Sequence, residues 1–158
     1  MKEPGGTLLR GIGQCEDVTR GGTVTDGTSE RISVMIVDDQ SPFRAAARAV
    51  VDRVAGFELI AEVASGEEAV AISDELGPQL VLMDINMGEL NGIEATRLIT
   101  RSNPATKVIL VSTYTLDDLP PDARTSGAVA YVNKDELSPR VIRRLWEAGG
   151  DPAWVAAV

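Results

Sequence analysis

The sequence predicts an α/β fold built on one doubly wound, five-stranded parallel sheet with the strand order 2-1-3-4-5. Three observations lead to this prediction. Short apolar runs rich in β-branched residues alternate with helix-like segments along the chain. Five such β-α units of near-equal length follow one another. No short hairpin turn joins two of the apolar runs, so we expect parallel strands covered by helices on both faces.

The composition divides the 158 residues into one domain and two tails. Residues 1–30 are rich in glycine and threonine without a helical or strand period, which predicts a flexible N-terminal tail, or a start assigned upstream of the real domain. Residues 31–149 are the predicted domain. Residues 150–158 are a short C-terminal tail, in which Asp151 to Val158 form either one more helical turn or a loose end.

The apolar runs are the predicted strands. Parallel strands are buried on both faces and therefore read as nearly continuous apolar sequence. The run from Ile32 to Val37 ends at two acids, and the run from Gln79 to Met83 ends at a third. The five predicted strands are residues 32–37, 57–63, 79–83, 107–111 and 128–132.

Capping signals mark where the predicted helices begin. Serine followed by proline, the N-cap and N1 pattern, starts the first helix at Ser41 and the fifth at Ser138. Ser65 starts the second helix, in which Leu76 is one of the residues expected to face inward. The third helix begins near Ile93.

Glycine and proline mark where these helices end. Pro120-Pro121 interrupts the connection after the fourth strand, so the fourth helix is predicted to be short, from about Asp122 to Ser126. The signals that end the first, second, third and fifth helices are Gly56, Gly77-Pro78, Asn103-Pro104 and Gly149-Gly150.

Charge and composition exclude several classes of function. Fifteen basic and 24 acidic residues give a net charge of −9, which argues against direct nucleic-acid binding and favours a cationic partner or a metal ion. There is no histidine, so neither histidine acid–base chemistry nor histidine metal ligation is available. The single Cys15 permits no disulfide within the chain. No apolar run reaches membrane-spanning length and no secretory signal is visible, so we expect a cytoplasmic protein.

Polar side chains follow four of the predicted strands at the point where each strand ends. Asp38-Asp39 follow the first strand, Asp84 the third, Ser112 the fourth, and Lys134 lies just past the fifth. Each alone has an ordinary explanation, such as an acid at a helix entry, a turn serine or a solvated lysine. Together they would face one crevice, because ligands of open parallel sheets bind outside the carboxyl ends of the strands.

Three carboxylates in one crevice repel each other unless a cation lies between them. Oxygen ligands alone favour Mg²⁺. A metal held by carboxylates, together with a lysine and a hydroxyl, is a set of groups suited to phosphoryl transfer. One of the carboxylates can then act as the nucleophile.

The chain resembles the receiver domain of bacterial two-component response regulators, from Arg31 to about Gly149. The motifs that carry the resemblance are Val37-Asp38-Asp39, Met83-Asp84-Ile85-Asn86-Met87, Val111-Ser112-Thr113 and Tyr131-Val132-Asn133-Lys134.

The resemblance implies a role for each residue near the acids. Asp84 would accept a phosphoryl group from a partner histidine kinase or phosphotransfer protein. Asp39 would ligate Mg²⁺ directly, Asp38 mainly through water, and the backbone carbonyl of Asn86 would complete the protein ligands, which include Asp84. The domain would catalyse only its own phosphorylation and dephosphorylation.

The resemblance also implies a switch. Ser112 and Lys134 would bind the phosphoryl oxygens, Ser112 would move on phosphorylation, and Tyr131 would rotate inward behind it. Tyr114 lies two residues past Ser112, near the path of a water molecule that attacks the phospho-aspartate. We expect its ring to slow hydrolysis.

The chain departs from the family pattern in three places. Met87-Gly88 stands where the family usually has Met-Pro, and Asn91-Gly92 where it often has Asp-Gly. The short fourth helix belongs to the surface that the family uses most for output, formed by the fourth helix, fifth strand and fifth helix. We expect a downstream protein partner on that face, with Trp146 as an exposed anchor, and a homodimer is a further candidate.

Alternative functions remain open. Eight residues after Gly150 are too few for a DNA-binding module, so we expect a stand-alone receiver or a truncated transcriptional regulator. A phosphate-independent pseudo-receiver is a second reading. A haloacid-dehalogenase-like phosphatase would carry a second acid where Asn86 stands. A flavodoxin-like cofactor binder would need a Ser-, Thr- and Gly-containing loop where Asp38-Asp39 stand.

Overall fold

The computed structural model describes residues 31–155, and the predictions for residues 1–30 lie outside this range. The compact unit that begins at Ile32 is described below. Its elements alternate as predicted. In chain order they are β1 (Ile32–Val37), α1 (Ser41–Asp52), β2 (Phe57–Val63), α2 (Gly66–Leu76), β3 (Leu80–Asp84), α3 (Gly92–Ser102), β4 (Lys107–Ser112), β5 (Ala130–Asn133), α4 (Pro139–Ala148) and α5 (Pro152–Val155).

The predicted sheet is confirmed. Its strand order is β2-β1-β3-β4-β5, and all four pairs of neighbouring strands are parallel. Val37 at the end of β1 pairs with Met83, and Asp84 at the end of β3 pairs with Val111. Ser112 at the end of β4 pairs with Asn133. This register brings the carboxyl ends of the central strands to one edge of the sheet.

Side chains that alternate along the strands build a core on each face of the sheet. On one face, residues such as Met35 and Met83 pack with α2 and α3. On the other face, residues such as Ile36 and Leu82 pack with α1 and α4. The central strand β3 is buried along its whole length, which explains its uninterrupted apolar sequence.

Two of the three predicted serine caps are confirmed. The hydroxyl oxygens of Ser65 and Ser138 accept hydrogen bonds from backbone amides in the first turns of α2 and α4. The prediction for Ser41 is wrong by one position, because Gln40 is the N-cap of α1 and makes no side-chain cap bond. Gly56 does not end α1 either. The helix ends at Asp52, and Gly56 (φ +86°) forms the turn before β2.

The predicted fourth helix is wrong. Over the described residues, two 3₁₀ turns, Leu116–Asp118 and Pro121–Ala123, take its place between β4 and β5. Pro120 and Pro121 have no backbone N–H to donate, and a proline ring clashes with the preceding helical turn, so no α-helix can run through these two positions. The Ser126 hydroxyl then donates to the Ala123 carbonyl oxygen at 2.7 Å, which closes the connection without a helix.

Trp146, near the C-terminus, is placed differently from expectation. Trp146 is not an exposed anchor: it is half-buried and packs edge-on against Phe57, with the ring centroids 6.0 Å apart. In the C-terminal tail the structure has a helical turn, α5, up to Val155, and residues 156–158 lie outside the described range. Trp154 on this turn is 3% exposed. Leu76, which was expected to face inward, is 46% exposed.

No helix among the described residues is long and apolar enough to cross a membrane.

At Gly92, the backbone of α3 lies close to the backbone at the end of β3. An added Cβ would lie 1.9 Å from the Asp84 carbonyl oxygen, and the Gly92 amide donates to the Ile85 carbonyl at 2.9 Å. Asn91 caps the helix by accepting from the Glu94 amide at 2.9 Å. Asn91 thus supplies a side-chain oxygen at the N-cap, as an aspartate there would.

We predict that Gly92→Ala lowers the free energy of unfolding by more than about 2 kcal/mol, because backbone atoms would have to move. The matched control is Gly77→Ala. Gly77 has φ +58° with open space around it, so only conformational strain of about 1 kcal/mol is expected there. Urea unfolding of both variants gives the comparison. Equal losses in the two variants would contradict this account of Gly92.

Candidate functional site

Three acids meet at the carboxyl edge of the sheet. Asp38 follows β1 and is fully buried, Asp39 beside it is exposed, and Asp84 ends β3 with 5% exposure. One carboxylate oxygen from each lies within 4.8 Å of the other two. The structure thus brings together the three acids that the sequence singled out.

Lys134 supplies the positive charge next to these acids. It opens a 3₁₀ turn directly after β5. Its Nζ lies 2.7 Å from Asp38 Oδ2 and 3.5 Å from Asp84 Oδ1, and it sits 4.4 Å from the centroid of the Phe43 ring. One lysine against three carboxylates leaves a site of net negative charge.

This arrangement disfavours the charged form of the Asp84 carboxyl group. Burial raises the pKa of its carboxyl group to about 6, and the neighbouring Asp38 and, more weakly, Asp39 add to the rise. Lys134 opposes the rise through its charge and a hydrogen bond but does not cancel it. Asp84 is therefore ionised above about pH 6 and carries a charge that it would lose more readily than an exposed aspartate.

The donor set fits a hard divalent cation. All three acids offer carboxylate oxygens, and such ligands suit Mg²⁺ rather than a softer metal. The repulsion that raises the pKa of Asp84 is relieved by a positive charge between the acids. The chemistry of the residues present thus agrees with the metal expected from the sequence.

Ser112 and Tyr131 form a hydrogen-bonded group beside the acids. Ser112 ends β4, is 1% exposed, and its Oγ accepts from the Tyr114 amide at 2.9 Å. The Tyr131 hydroxyl donates to the Tyr114 carbonyl oxygen, and its oxygen also lies 3.1 Å from the Ser112 carbonyl oxygen and 3.3 Å from Ser112 Oγ. Burial raises the pKa of Tyr131. The tyrosine already lies against the serine in this structure.

Tyr114 connects the loop after β4 to the loop after Asp84. Its hydroxyl donates to Asn86 Oδ1 at 3.3 Å. Asn86 itself is exposed and follows β3 by two residues. The contact places the Tyr114 side chain beside the loop that follows Asp84.

Sequence reasoning missed two residues of the site. Arg44 on α1 donates from Nη1 to the backbone carbonyl of Asp38 at 2.7 Å, which fixes the end of β1. The ring of Phe43, on the first turn of α1, lies under the Lys134 ammonium group. Helical periodicity could have found both, because residues on the first turns of α1 point back toward the strand that precedes it.

Comparison with known proteins identifies the family. The family model "response regulator receiver domain" matches residues 34–145. The chain therefore belongs to the receiver-domain family of two-component response regulators.

Individual relatives agree with this assignment. Response regulator UvrY of Escherichia coli strain K12 is 30% identical over 126 residues, which cover 80% of this chain and 58% of UvrY. The response regulator domain of Thermotoga maritima CheB superposes with a TM-score of 0.68 at 30% identity, covering 78% of this chain and all of that domain.

A third relative, CheY in the CheX-CheY-BeF3-Mg complex of Borrelia burgdorferi, has a TM-score of 0.66 at 27% identity and covers 78% and 93% of the two chains. The chain spans only about half the length of the curated relatives it matches, between 48% and 58%.

We predict that Asp84→Asn stabilises the metal-free protein, and that the gain depends on pH. A folded-state pKa of about 6 against an ordinary 3.8 means that the parent loses stability as the pH rises from about 4 to about 6. The asparagine variant does not suffer this loss, so its advantage should reach roughly 2 to 3 kcal/mol above pH 7 and shrink below pH 4.

The measurement is urea unfolding in a chelator across this pH range. Asp74→Asn serves as the control, because it makes the same change of side chain at an exposed position on α2. A stability difference between parent and Asp84→Asn that stays constant from pH 4 to pH 7 would contradict the raised pKa of Asp84.

Proposed function

We propose that this receiver domain is a phospho-accepting switch in which Asp84 takes a phosphoryl group from a histidine kinase or phosphotransfer protein in the presence of Mg²⁺. One observation carries the proposal. Asp84 ends the central strand with two other acids within 4.8 Å and the Lys134 ammonium group 3.5 Å away. A nucleophile, a metal-binding acid pair and a cation for phosphoryl oxygens thus share one crevice.

The residues proposed to hold Mg²⁺ are Asp39 directly, Asp38 mainly through water, Asp84, and the backbone carbonyl of Asn86. When bound, the ion supplies charge neutralisation at the phosphoryl oxygens. The related CheY of Borrelia burgdorferi, crystallised as a CheX-CheY-BeF3-Mg complex, supports the choice of metal for a domain of this fold.

The transfer itself requires little more than position and charge. A carboxylate oxygen of Asp84 forms the new bond to phosphorus as the bond from phosphorus to the donor histidine nitrogen breaks. Lys134 donates hydrogen bonds to the developing negative charge on the phosphoryl oxygens, and the Ser112 hydroxyl donates another. Asp84 must be ionised to attack, and the positive charge of a bound ion would favour the ionised carboxylate.

Phosphorylation would change the contacts that now hold the site together. Lys134 is paired with Asp38 at 2.7 Å, and a phosphoryl group on Asp84 would compete for its ammonium group. The Ser112 hydroxyl would likewise turn from Tyr114 and Tyr131 toward the phosphoryl oxygens. Phosphorylation switches generally work in this way: a local change in charge shifts the equilibrium between two arrangements of side chains.

The proposed output surface is the face formed by the two 3₁₀ turns after β4, by β5 and by α4. It holds a groove of about 550 Å³ with Tyr131, Tyr114 and the exposed Leu116 along its apolar part. Asp135 and Glu136 line its polar side. A partner that presents both apolar and basic side chains would fit this groove, and a second copy of the chain is the other candidate.

Three further points stay predictions: a receiver domain spanning residues 31–149, a cytoplasmic location, and catalysis limited to the domain's own phosphorylation and dephosphorylation.

The direct test is intact mass after incubation with acetyl phosphate and Mg²⁺. We expect a single phosphoryl adduct on the parent and on the control Asp74→Asn, and none on Asp84→Asn or in excess chelator. An adduct of equal yield on Asp84→Asn would contradict the proposal. Absence of an adduct on the parent, under conditions that fully label another receiver, would favour the phosphate-independent pseudo-receiver.

Tyr114 should slow the loss of the phosphoryl group. We predict that Tyr114→Glu speeds dephosphorylation about tenfold, equivalent to about 1.4 kcal/mol in activation free energy, because a small acid admits and orients water where a ring excludes it. Decay of the adduct after removal of acetyl phosphate gives the rate.

The matched control for this prediction is Tyr114→Phe, which keeps the ring and loses only the 3.3 Å hydrogen bond to Asn86. Its adduct should decay at nearly the parent rate. Equal decay of the parent and Tyr114→Glu adducts would rule out the role of Tyr114.

A further inference from the structure

The side chain of Asn133 joins the two loops that follow β4 and β5. Asn133 is the last residue of β5 and pairs with Ser112 at the end of β4. Its Nδ2 donates to the Tyr114 carbonyl oxygen at 3.0 Å. Its Oδ1 accepts from the Asp135 amide at 2.9 Å, in the 3₁₀ turn that begins with Lys134. One side-chain amide therefore connects the loop that carries Tyr114 with the turn that carries Lys134.

The two partners fix which way this amide points. A backbone N–H is only a donor, so the Asn133 oxygen must face Asp135 and the NH₂ group must face the loop after β4. There the NH₂ group also lies 3.4 Å from the Thr113 carbonyl oxygen. An aspartate at this position would place a carboxylate against carbonyl oxygens, and the side chain of a serine would be one bond too short to reach them. Asparagine therefore serves both contacts at once.

A second side chain of β5 holds the same carbonyl oxygen. The Tyr131 hydroxyl donates to the Tyr114 carbonyl oxygen, which has two lone pairs and so can accept from both Asn133 and Tyr131. Tyr131 lies inward here, which is the position implied for it when Asp84 carries a phosphoryl group. The contacts that hold the Tyr114 backbone are therefore compatible with the phosphorylated state.

The position of this backbone decides where the Tyr114 ring lies. The half-buried ring extends from the held carbonyl to the loop after Asp84, where its hydroxyl donates to Asn86 Oδ1 at 3.3 Å. The Tyr114 amide donates to Ser112 Oγ at 2.9 Å, but this bond is lost if the Ser112 hydroxyl turns toward a phosphoryl group. The two bonds from β5 then remain to hold the Tyr114 backbone.

We propose that Asn133 is a positioning residue that sets the lifetime of the phosphoryl group. By holding the Tyr114 carbonyl, it keeps the Tyr114 ring beside the acceptor and across the path of attacking water. Hydrolysis forms a bond between the water oxygen and phosphorus and breaks the bond between phosphorus and the Asp84 carboxylate oxygen. It releases inorganic phosphate, and the water protons pass to the phosphate and the solvent. This inference rests on the proposed phosphorylation of Asp84 and on the proposed role of Tyr114.

The first arm of the test follows decay of the phosphoryl adduct by intact mass after removal of acetyl phosphate. Asn133→Ser keeps an oxygen that can cap the turn at Asp135 but cannot reach the Tyr114 carbonyl. We expect its adduct to decay about fivefold faster than the parent adduct, the usual effect of losing one net hydrogen bond. The control Ser138→Ala removes the 3.2 Å bond from the Val141 amide to the α4 cap, which lowers stability without touching Tyr114. Its adduct should decay at the parent rate.

The second arm separates positioning of the ring from loss of stability. In the Tyr114→Ala background there is no ring to position, so Asn133→Ser should not change the decay rate there. Non-additive effects of this kind identify residues that act through one another. Asn133→Ser would speed decay equally in both backgrounds if it acted only by loosening the fold, and that result overturns the inference. Equal acceleration by Ser138→Ala overturns it as well.

Two further results overturn the inference while leaving the proposed function intact. One is decay of the Asn133→Ser adduct at the parent rate. The other is decay of the Tyr114→Ala adduct at the parent rate, because the ring would then exclude no water. If Asn133→Ser does not fold, Asn133→Asp, which keeps the acceptor and lacks the donor, takes its place with the same expectations. Absence of any adduct on the parent overturns the proposed function and this inference with it.

Discussion

The buried pairing of Lys134 with Asp38 and Asp84 is the interaction on which the rest of the site depends. Two unit charges about 4 Å apart interact by roughly 4 kcal/mol at the effective dielectric constant of a protein surface, so three clustered carboxylates need compensation. Lys134 supplies one charge, at 2.7 Å from Asp38 Oδ2 and 3.5 Å from Asp84 Oδ1. The compensation is incomplete, which leaves the pKa of Asp84 at about 6 and leaves the site attractive to a cation.

The sheet makes this cluster possible. Parallel pairing brings the ends of β1, β3, β4 and β5 to one edge, so that groups far apart in sequence meet without long loops. Each acid or hydroxyl lies where a buried strand ends at the crevice. The apolar core lowers the local dielectric constant at these positions. The same packing that stabilises the fold therefore strengthens the electrostatic interactions that the proposed chemistry uses.

Much of the fold and the members of the site could be predicted from the sequence, because both depend on local patterns. Apolar runs and the caps Ser65 and Ser138 report strands and helix starts directly. The contacts of Trp154 could not be predicted, since they join a tail residue to β5 through distances that only the folded chain defines. The short fourth helix was wrongly predicted for a related reason. Pro120-Pro121 indicated an interruption, but whether a helix forms after these prolines depends on packing around Ala123.

Asp84, rather than a neighbouring acid, is the proposed carrier of the phosphoryl group. Borohydride reduces an aspartyl phosphate to homoserine, so reduction of the acetyl phosphate-treated protein followed by peptide mass spectrometry locates the acceptor. We predict homoserine at position 84 alone, because Lys134 pairs more closely with Asp38 and leaves Asp84 at the end of the central strand to attack. Homoserine at position 38 or 39 instead would contradict the assignment of the nucleophile and the account of the site built on it.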